Sequence, residues 1–116
     1  MQDCLFCKFV SGEIPVDKVF ENEKFIIIRD IAPMCKNHFL AIPKRHFKYL
    51  SEMTEQDKLD LGEIFAFVAN LKDTLELNGG FRLVINQGDD AGQTVPHLHI
   101  HVLSGEKMGW DPAGRK

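Results

Sequence analysis

The sequence predicts an α+β domain built on an antiparallel sheet. Several short apolar segments bounded by turn residues are typical of strands, and one long amphipathic segment has the spacing of a helix. Short turns join the strands, without the regular helical crossovers of a parallel sheet. A chain of 116 residues is long enough for one hydrophobic core and short for two, so we expect a single domain over residues 1–116.

The first predicted strands form a hairpin. Residues 16–21 and 25–30 are apolar runs separated by the polar pair Asn22 and Glu23. Residues 38–43 predict a third strand, which stops at Pro43.

A long helix is predicted to follow. Thr54 is a suitable N-cap, with Asp57 three residues on, and the Asn-Gly-Gly run at residues 78–80 is a stop signal. The apolar positions between them recur at helical spacing, which suits a scaffold helix covering one face of the sheet. These positions are Leu61, Ile64, Phe65, Val68, Leu71 and Leu75.

Residues 81–86 predict a further strand, and the run PHLHIHVL at residues 96–103 predicts the last one. Because alternate side chains of a strand point to opposite faces, His97, His99 and His101 line one face and the apolar residues between them line the other. The alternative is a purely structural, half-buried strand whose polar face carries histidines without a catalytic role. Three histidines in strict alternation favour an active-site strand instead.

Composition excludes some classes of function. A formal net charge of −3 with scattered Lys and Arg leaves no basic stripe for a nucleic-acid polymer, so we expect a small ligand. No segment approaches the roughly 20 apolar residues of a membrane helix, and MQDCLFCKFV lacks the order of a secretory signal. We therefore expect a cytoplasmic protein that does not bind membranes.

The histidine strand suits chemistry on phosphorus. A neutral imidazole is a competent nucleophile near neutral pH, and a neighbouring imidazole or carbonyl can hold its tautomer. The preceding loop, with Gly88, Gly92, Gln93 and Thr94, is a plausible phosphate cradle, although such Gly-Asp-rich loops are more often simple turns. His97 and His101 are about 13 Å apart along an ideal strand, which argues against one metal ion binding all three histidines.

The cysteines leave alternatives open. Cys4 and Cys7 have the C-x-x-C spacing of metal or redox sites, and a pair of buried thiols or a redox disulfide would also fit. Cys35 stands apart and is interpreted as a small core residue.

The run HLHIHVL resembles the signature of the histidine triad (HIT) superfamily. The resemblance extends through FCKFVSGEIP, FIIIRDIAP, NHFLAIPKRH, the whole of residues 81–103 and MGWDP, and is strongest to the Hint branch. It implies a HIT-like domain with an antiparallel sheet of about five strands, one long helix and a short N-terminal helix. It also implies a homodimer.

The resemblance further implies an enzyme that binds purine mononucleotides such as AMP or GMP. Such an enzyme cleaves purine nucleoside 5'-phosphoramidates or related conjugates at the α-phosphate. His99 matches the family nucleophile, which forms a nucleotidyl-histidine, while His101, His38 and His97 complete the histidine network. Thr94 stands where Hint proteins commonly have serine. Matched binding positions are Asp30 for the ribose, Ile31 beside the base, and Asn86, Gly92, Gln93 and Thr94 around the phosphate.

Bacterial relatives with a C-x-x-C segment imply a structural zinc. The matching ligands here are Cys4, Cys7, His46 and His97, a set that suits tetrahedral zinc. Departures around residues 35–37, at Pro96 and at Gly109 leave the leaving group undefined. Two rival hypotheses are a non-catalytic nucleotide-binding or partner-binding regulatory module and a hydrolase with a catalytic metal on the triad.

Overall fold

The computed structural model describes residues 4–113 and contains a five-stranded antiparallel sheet with two α-helices, which confirms the predicted fold class. The strands lie in the order β1-β2-β3-β5-β4, so β1 and β4 form the edges. Short 3₁₀ turns occur at Leu50–Glu52 and Asp89–Ala91. The elements are α1 Leu5–Ser11, β1 Lys18–Glu21, β2 Phe25–Arg29, β3 Asn37–Pro43, α2 Glu55–Asn70, β4 Phe81–Val84 and β5 Ile100–Ser104.

Both faces of the sheet are covered, but by different elements. On one face Phe25, Ile27 and Phe39 pack against the apolar side of α2, as the helical spacing predicted. On the other face a smaller cluster, which includes Ile26 and Ile28, packs against α1. This double burial explains why β2 is an unbroken apolar run rather than an alternating one.

Helix α2 begins where the sequence predicts and ends earlier. The Thr54 hydroxyl accepts the Asp57 N–H while the Asp57 carboxylate accepts the Thr54 N–H. The predicted continuation to residue 78 is wrong, because the helix stops at Asn70. Leu75 and Leu77 are both buried, and a spacing of two residues cannot place both side chains on one helical face.

The histidine strand is shorter than predicted. Regular pairing starts at Ile100, since the N–H of His97 bonds to Val95 in a turn and the N–H of Leu98 bonds to Phe47 instead of a neighbouring strand. The predicted alternation nevertheless persists, with Leu98 and Ile100 in the core beneath α2.

The other strand boundaries move by one or two residues, and β1 starts at Lys18 rather than at residue 16. Cys35 is half-buried rather than fully in the core, and its thiol donates to the carbonyl of Asn37. Within residues 4–113, no helix is both long enough and apolar enough to cross a bilayer.

Candidate active site and metal site

The five histidines fall into two clusters on the α1 side of the sheet. The first, here called the tetrad, consists of Cys4, Cys7, His46 and His97, whose ligand atoms all lie within 4.8 Å of one another. The second, here called the relay, consists of His38, His99 and His101. The structure thus separates His97 from the other two histidines of the triad.

The tetrad brings two thiols and two imidazoles face to face. The Sγ of Cys4 lies 3.4 Å from the Nδ1 of His97, and the Sγ of Cys7 lies 3.2 Å from the Nδ1 of His46 and 3.6 Å from that of His97. The two Nδ1 atoms are 3.2 Å apart. Both cysteines are free thiols, so this set of two sulfur and two nitrogen donors is able to hold a metal ion.

Hydrogen bonds close to each of the four ligands help to hold together tetrad residues that come from distant parts of the chain. Cys4 is the N-cap of α1 and its Sγ accepts the N–H of Cys7. His46 lies in the connection after β3, where the Nε of Arg45 donates to the buried Asp57 carboxylate at 2.6 Å. The same connection accepts the N–H of Leu98 at 2.7 Å, which joins it to the histidine segment.

The protonation of the tetrad follows from its surroundings. The Nε2–H of His97 donates to the Pro43 carbonyl at 2.7 Å, which leaves the lone pair on Nδ1 facing the thiols. Burial lowers the pKa of His97 to about 4, so the ring is neutral, as a metal ligand must be. Burial, followed by the neighbouring Cys4, raises the pKa of the Cys7 thiol to about 11.

In the relay, one backbone amide sets the tautomers of two rings. The N–H of Met34 donates to the Nδ1 of His38 at 3.0 Å, so the neutral His38 ring carries its proton on Nε2. That proton is donated to the Nδ1 of His101 at 2.9 Å. His101 therefore carries its own proton on Nε2. Burial lowers the pKa of His38 and lowers that of His101 to about 4, which keeps both rings neutral.

His99 has the opposite tautomer. Its Nδ1–H donates to the carbonyl of His97 at 2.8 Å, so Nε2 carries an unshared pair. The ring is 8% exposed and its centroid lies 5.0 Å from that of His101. Burial lowers the pKa of His99 and so favours the neutral, nucleophilic form.

Asp30 joins the relay from the end of β2. Its Oδ1 accepts the N–H of Ala32 at 2.8 Å in a turn, and its Oδ2 lies 3.4 Å from the Nε2 of His38. Asp30, His38 and His101 also form a compact donor group. Because Met34 holds the proton of His38 on Nε2, this ring has no lone pair to offer a cation there, and the arrangement favours proton relay over a second metal centre.

A largely apolar cavity of about 560 Å³ lies beside Asp30. Leu5, Phe6 and Phe9 of α1 form one wall, while the fully exposed Ile31 lies at its edge. Neither this cavity nor a second hollow of about 610 Å³ near the end of β5 is lined by a histidine, but Asp30 and Phe6 in the first cavity contact His38 and His99. A cavity of this size next to the relay suits a nucleoside-sized ligand.

The predicted phosphate loop is held mainly by its own hydrogen bonds. The amide of Gln93 accepts the N–H of Gly88 and donates to the carbonyl of Lys48, and the N–H of Gly92 bonds to Asp89. Asn86 lies with His38 and His101 around a shallow hollow of about 180 Å³, and the side chain of Thr94 is exposed. Gln93 therefore organises the loop here, which leaves Asn86 and Thr94 freer to contact a ligand.

Some site residues were not singled out from the sequence. They are the cavity wall formed by α1 and the backbone carbonyls of Pro43 and His97. The apolar run LFCKF could have predicted this cavity wall, since Leu5, Phe6 and Phe9 lie on one face of a helix. The carbonyls carry no sequence signal at all.

Comparisons with known proteins agree with this architecture. Residues 11–108 match the model of the HIT domain family. An uncharacterized HIT-like protein of Synechococcus elongatus is 40% identical over 111 residues, which cover 96% of this chain and 97% of that protein.

Solved structures show the same fold. A HIT family hydrolase from Clostridium thermocellum superposes with a TM-score of 0.89 at 38% identity, covering 96% of this chain and 97% of that one. A histidine triad nucleotide-binding protein from Candida albicans gives a TM-score of 0.78 at 31% identity, covering 94% and 83%. The chain belongs to the HIT domain family.

Proposed function

We propose that this protein hydrolyses purine nucleoside 5'-phosphoramidates or related nucleotidyl conjugates at the α-phosphate, through a covalent intermediate on His99. The observation that carries this proposal is the pinned tautomer of His99, whose Nδ1–H donates to the His97 carbonyl while Nε2 is free to attack. The hydrolase from Clostridium thermocellum and the nucleotide-binding protein from Candida albicans support the reaction class and the ligand class.

The nucleoside would occupy the cavity beside Asp30. Leu5, Phe6 and Phe9 offer apolar contacts to a purine, and Ile31 at the edge offers another. Asp30 has a second carboxylate oxygen beyond its turn contact, which suits hydrogen bonds from ribose hydroxyls.

Catalysis would then proceed in two displacements. The Nε2 of His99 attacks phosphorus, an N–P bond forms, and the bond to the leaving amine breaks as the amine takes a proton from solvent. The Nε2–H of His101 is a hydrogen-bond donor for the phosphate oxygens, and the neutral ring keeps its proton throughout. Water then attacks phosphorus and gives up one proton to solvent, the N–P bond breaks, and the nucleotide leaves a neutral His99.

For the tetrad we propose a structural zinc site. Zinc bond lengths of about 2.3 Å to sulfur and about 2.1 Å to nitrogen imply tetrahedral edges of about 3.6 Å between S and N and about 3.4 Å between two N atoms. Three S···N separations of 3.2 to 3.6 Å and the N···N separation of 3.2 Å lie close to these values. Such an ion would join the N-terminus to the sheet and leave no open position for a substrate.

We also propose a homodimer. Leu59, Gly62 and Ala66 form an exposed apolar stripe along α2, spaced by three and four residues. The edge strand β4 adds unpaired backbone groups that a second copy is able to complete. Sedimentation velocity of the wild type and of Ala66→Arg tests this surface, and a wild-type monomer at micromolar concentration contradicts it.

Intact-protein mass spectrometry tests the reaction. After brief mixing with adenosine phosphoramidate, we expect the wild type to gain one adenylyl group and His99→Ala to gain none while still binding AMP. Tight AMP binding by the wild type, with neither adduct nor turnover across several nucleotidyl amides, would indicate a binding module instead. Full turnover by His99→Ala would remove this residue from its role.

A metal-dependent mechanism is tested in the same assay. If the protein stays folded after zinc is removed and still forms the adduct, a catalytic ion is excluded. Loss of the fold together with activity would instead agree with structural zinc.

A further inference from the structure

Helix α1 and its N-cap carry parts of two sites within six consecutive positions. Cys4 and Cys7 face the tetrad, whereas Leu5 and Phe6, together with Phe9 one turn later, line the cavity. Phe6 thus lies between the two thiols in sequence and is 4% exposed. Any shift of α1 that the tetrad causes must also move this buried ring.

Phe6 touches the nucleophile directly. Its ring meets that of His99 edge-on, with centroids 4.9 Å apart and an interplanar angle of 87°. It also meets His97 at 6.0 Å and 68°. The hydrogen bond from Nδ1 holds one end of the His99 ring, and Phe6 limits rotation about the remaining axis.

The tetrad supplies the polar side-chain contacts between α1 and the rest of the fold. Within residues 4–113, the side chains of α1 and its N-cap form hydrogen bonds to the rest of the fold through the thiols of Cys4 and Cys7. Their partners are the imidazoles of His46 and His97. The remaining contacts of the helix with the sheet are apolar packing by Phe6 and its neighbours. Metal coordination would replace weak thiol contacts with rigid bonds at the base of the helix.

We propose that Phe6 is a positioning residue that links the tetrad to the nucleotide site. A metal ion on the tetrad fixes α1, and Phe6 thereby fixes both the His99 ring and the wall of the cavity. The link is reciprocal, so a nucleotide strengthens metal retention by the same factor by which metal strengthens nucleotide binding. The nucleotide part rests on the proposed function, whereas the link between metal and the His99 ring does not.

The test compares Phe6→Leu with Phe9→Leu, in the full chain loaded with Zn²⁺ and after chelation. Phe9 is the matched control, because it lies on the same helix and lines the same cavity but stacks on Phe6 rather than on an imidazole. Two quantities are measured: the ring-proton NMR shifts of His99, assigned by their loss in His99→Gln, and the Kd for AMP from calorimetry.

We expect removal of Zn²⁺ from the wild type to move the His99 resonances and to weaken AMP binding about 5-fold or more. In Phe9→Leu the change on Zn²⁺ removal should persist in both quantities, whatever this variant's own Kd for AMP, and in Phe6→Leu both changes should be lost. Unchanged resonances and unchanged Kd in the wild type would overturn the proposal, as would a full response in Phe6→Leu. If AMP does not bind in either state, the proposed function fails, and the His99 resonances still decide whether Phe6 carries the link.

A reciprocal measurement applies if the metal-free chain unfolds. Retention of Zn²⁺ against a chromogenic chelator is followed with and without saturating AMP, starting from the loaded protein. We expect AMP to slow or weaken zinc loss about 5-fold in the wild type and in Phe9→Leu, and to have no effect in Phe6→Leu. Equal protection in all three proteins would overturn the proposal.

Discussion

The tetrad and the relay use the same side chain in opposite ways. In the tetrad, the carbonyl of Pro43 takes the Nε2–H of His97 and leaves Nδ1 free to face two thiols. In the relay, the carbonyl of His97 accepts the Nδ1–H of His99, so the lone pair of this ring is on Nε2. His97 and His99 are two residues apart in one segment. For each ring, the backbone carbonyl within reach decides which nitrogen keeps its lone pair, and therefore what the imidazole can do.

The largest expected effect comes from emptying the tetrad. Chelation of Zn²⁺, or His46→Ala, should lower the free energy of unfolding by about 4 kcal/mol relative to protein in Zn²⁺ at about 1,000 times Kd. Denaturant unfolding with zinc analysis of the same samples measures this. His101→Ala is the control from the relay and should keep its zinc. Equal stability with and without metal would contradict a structural role for the tetrad.

The next effect should come from breaking the relay. His38→Leu removes the donor to the Nδ1 of His101, so the His101 proton is no longer confined to Nε2. We expect kcat to fall about 100-fold, with AMP affinity and zinc content retained. His38→Gln, which keeps a side-chain donor, should lose less. Unchanged kcat in His38→Leu would show that the tautomer chain is not needed.

A smaller effect is expected from Asp30, whose substitution should change nucleotide binding rather than zinc binding or the tautomers of the relay. Asp30→Asn keeps an oxygen for the turn with Ala32 but removes the charge that would assist hydrogen bonds from the ribose. We expect about 10-fold weaker binding of AMP and no change for 2',3'-dideoxy-AMP. Titration calorimetry with both nucleotides measures the difference, and equal losses for the two would place the carboxylate elsewhere.

The smallest effect concerns the pH dependence of stability. Burial, then the neighbouring His99 and His38, lowers the pKa of His101 from 6.5 to about 4 against the opposing pull of Asp30. Between pH 6.5 and about 4, His101 is protonated in the unfolded chain and neutral in the folded chain. This difference makes the free energy of unfolding fall as the pH drops from 6.5 towards 4.

His101→Gln should reduce that pH slope by up to one proton. Urea unfolding of the wild type and of the variant at pH 7, 6 and 5 tests this difference. Identical slopes would show that His101 is protonated equally in both states.

Sequence patterns predicted the fold well where one local signal dominated. Thr54 and Asp57 marked the start of α2 because their cap is made within one turn. The end of α2 was wrong, since Leu75 and Leu77 enter the core together and tertiary burial overrides helical spacing there. The histidine strand was too long for a similar reason, because the N–H of Leu98 pairs with Phe47 across the fold.

For the sites, the sequence by itself determined which side chains were available and on which face the triad lies, because alternation is a local property of extended chain. The resemblance to HIT proteins named the four residues of the tetrad, and the structure brings their ligand atoms together. Only the tertiary structure decided which imidazole nitrogen is free. That choice depends on Pro43, Met34 and the carbonyl of His97, backbone groups that every sequence offers and only a folded chain brings into reach.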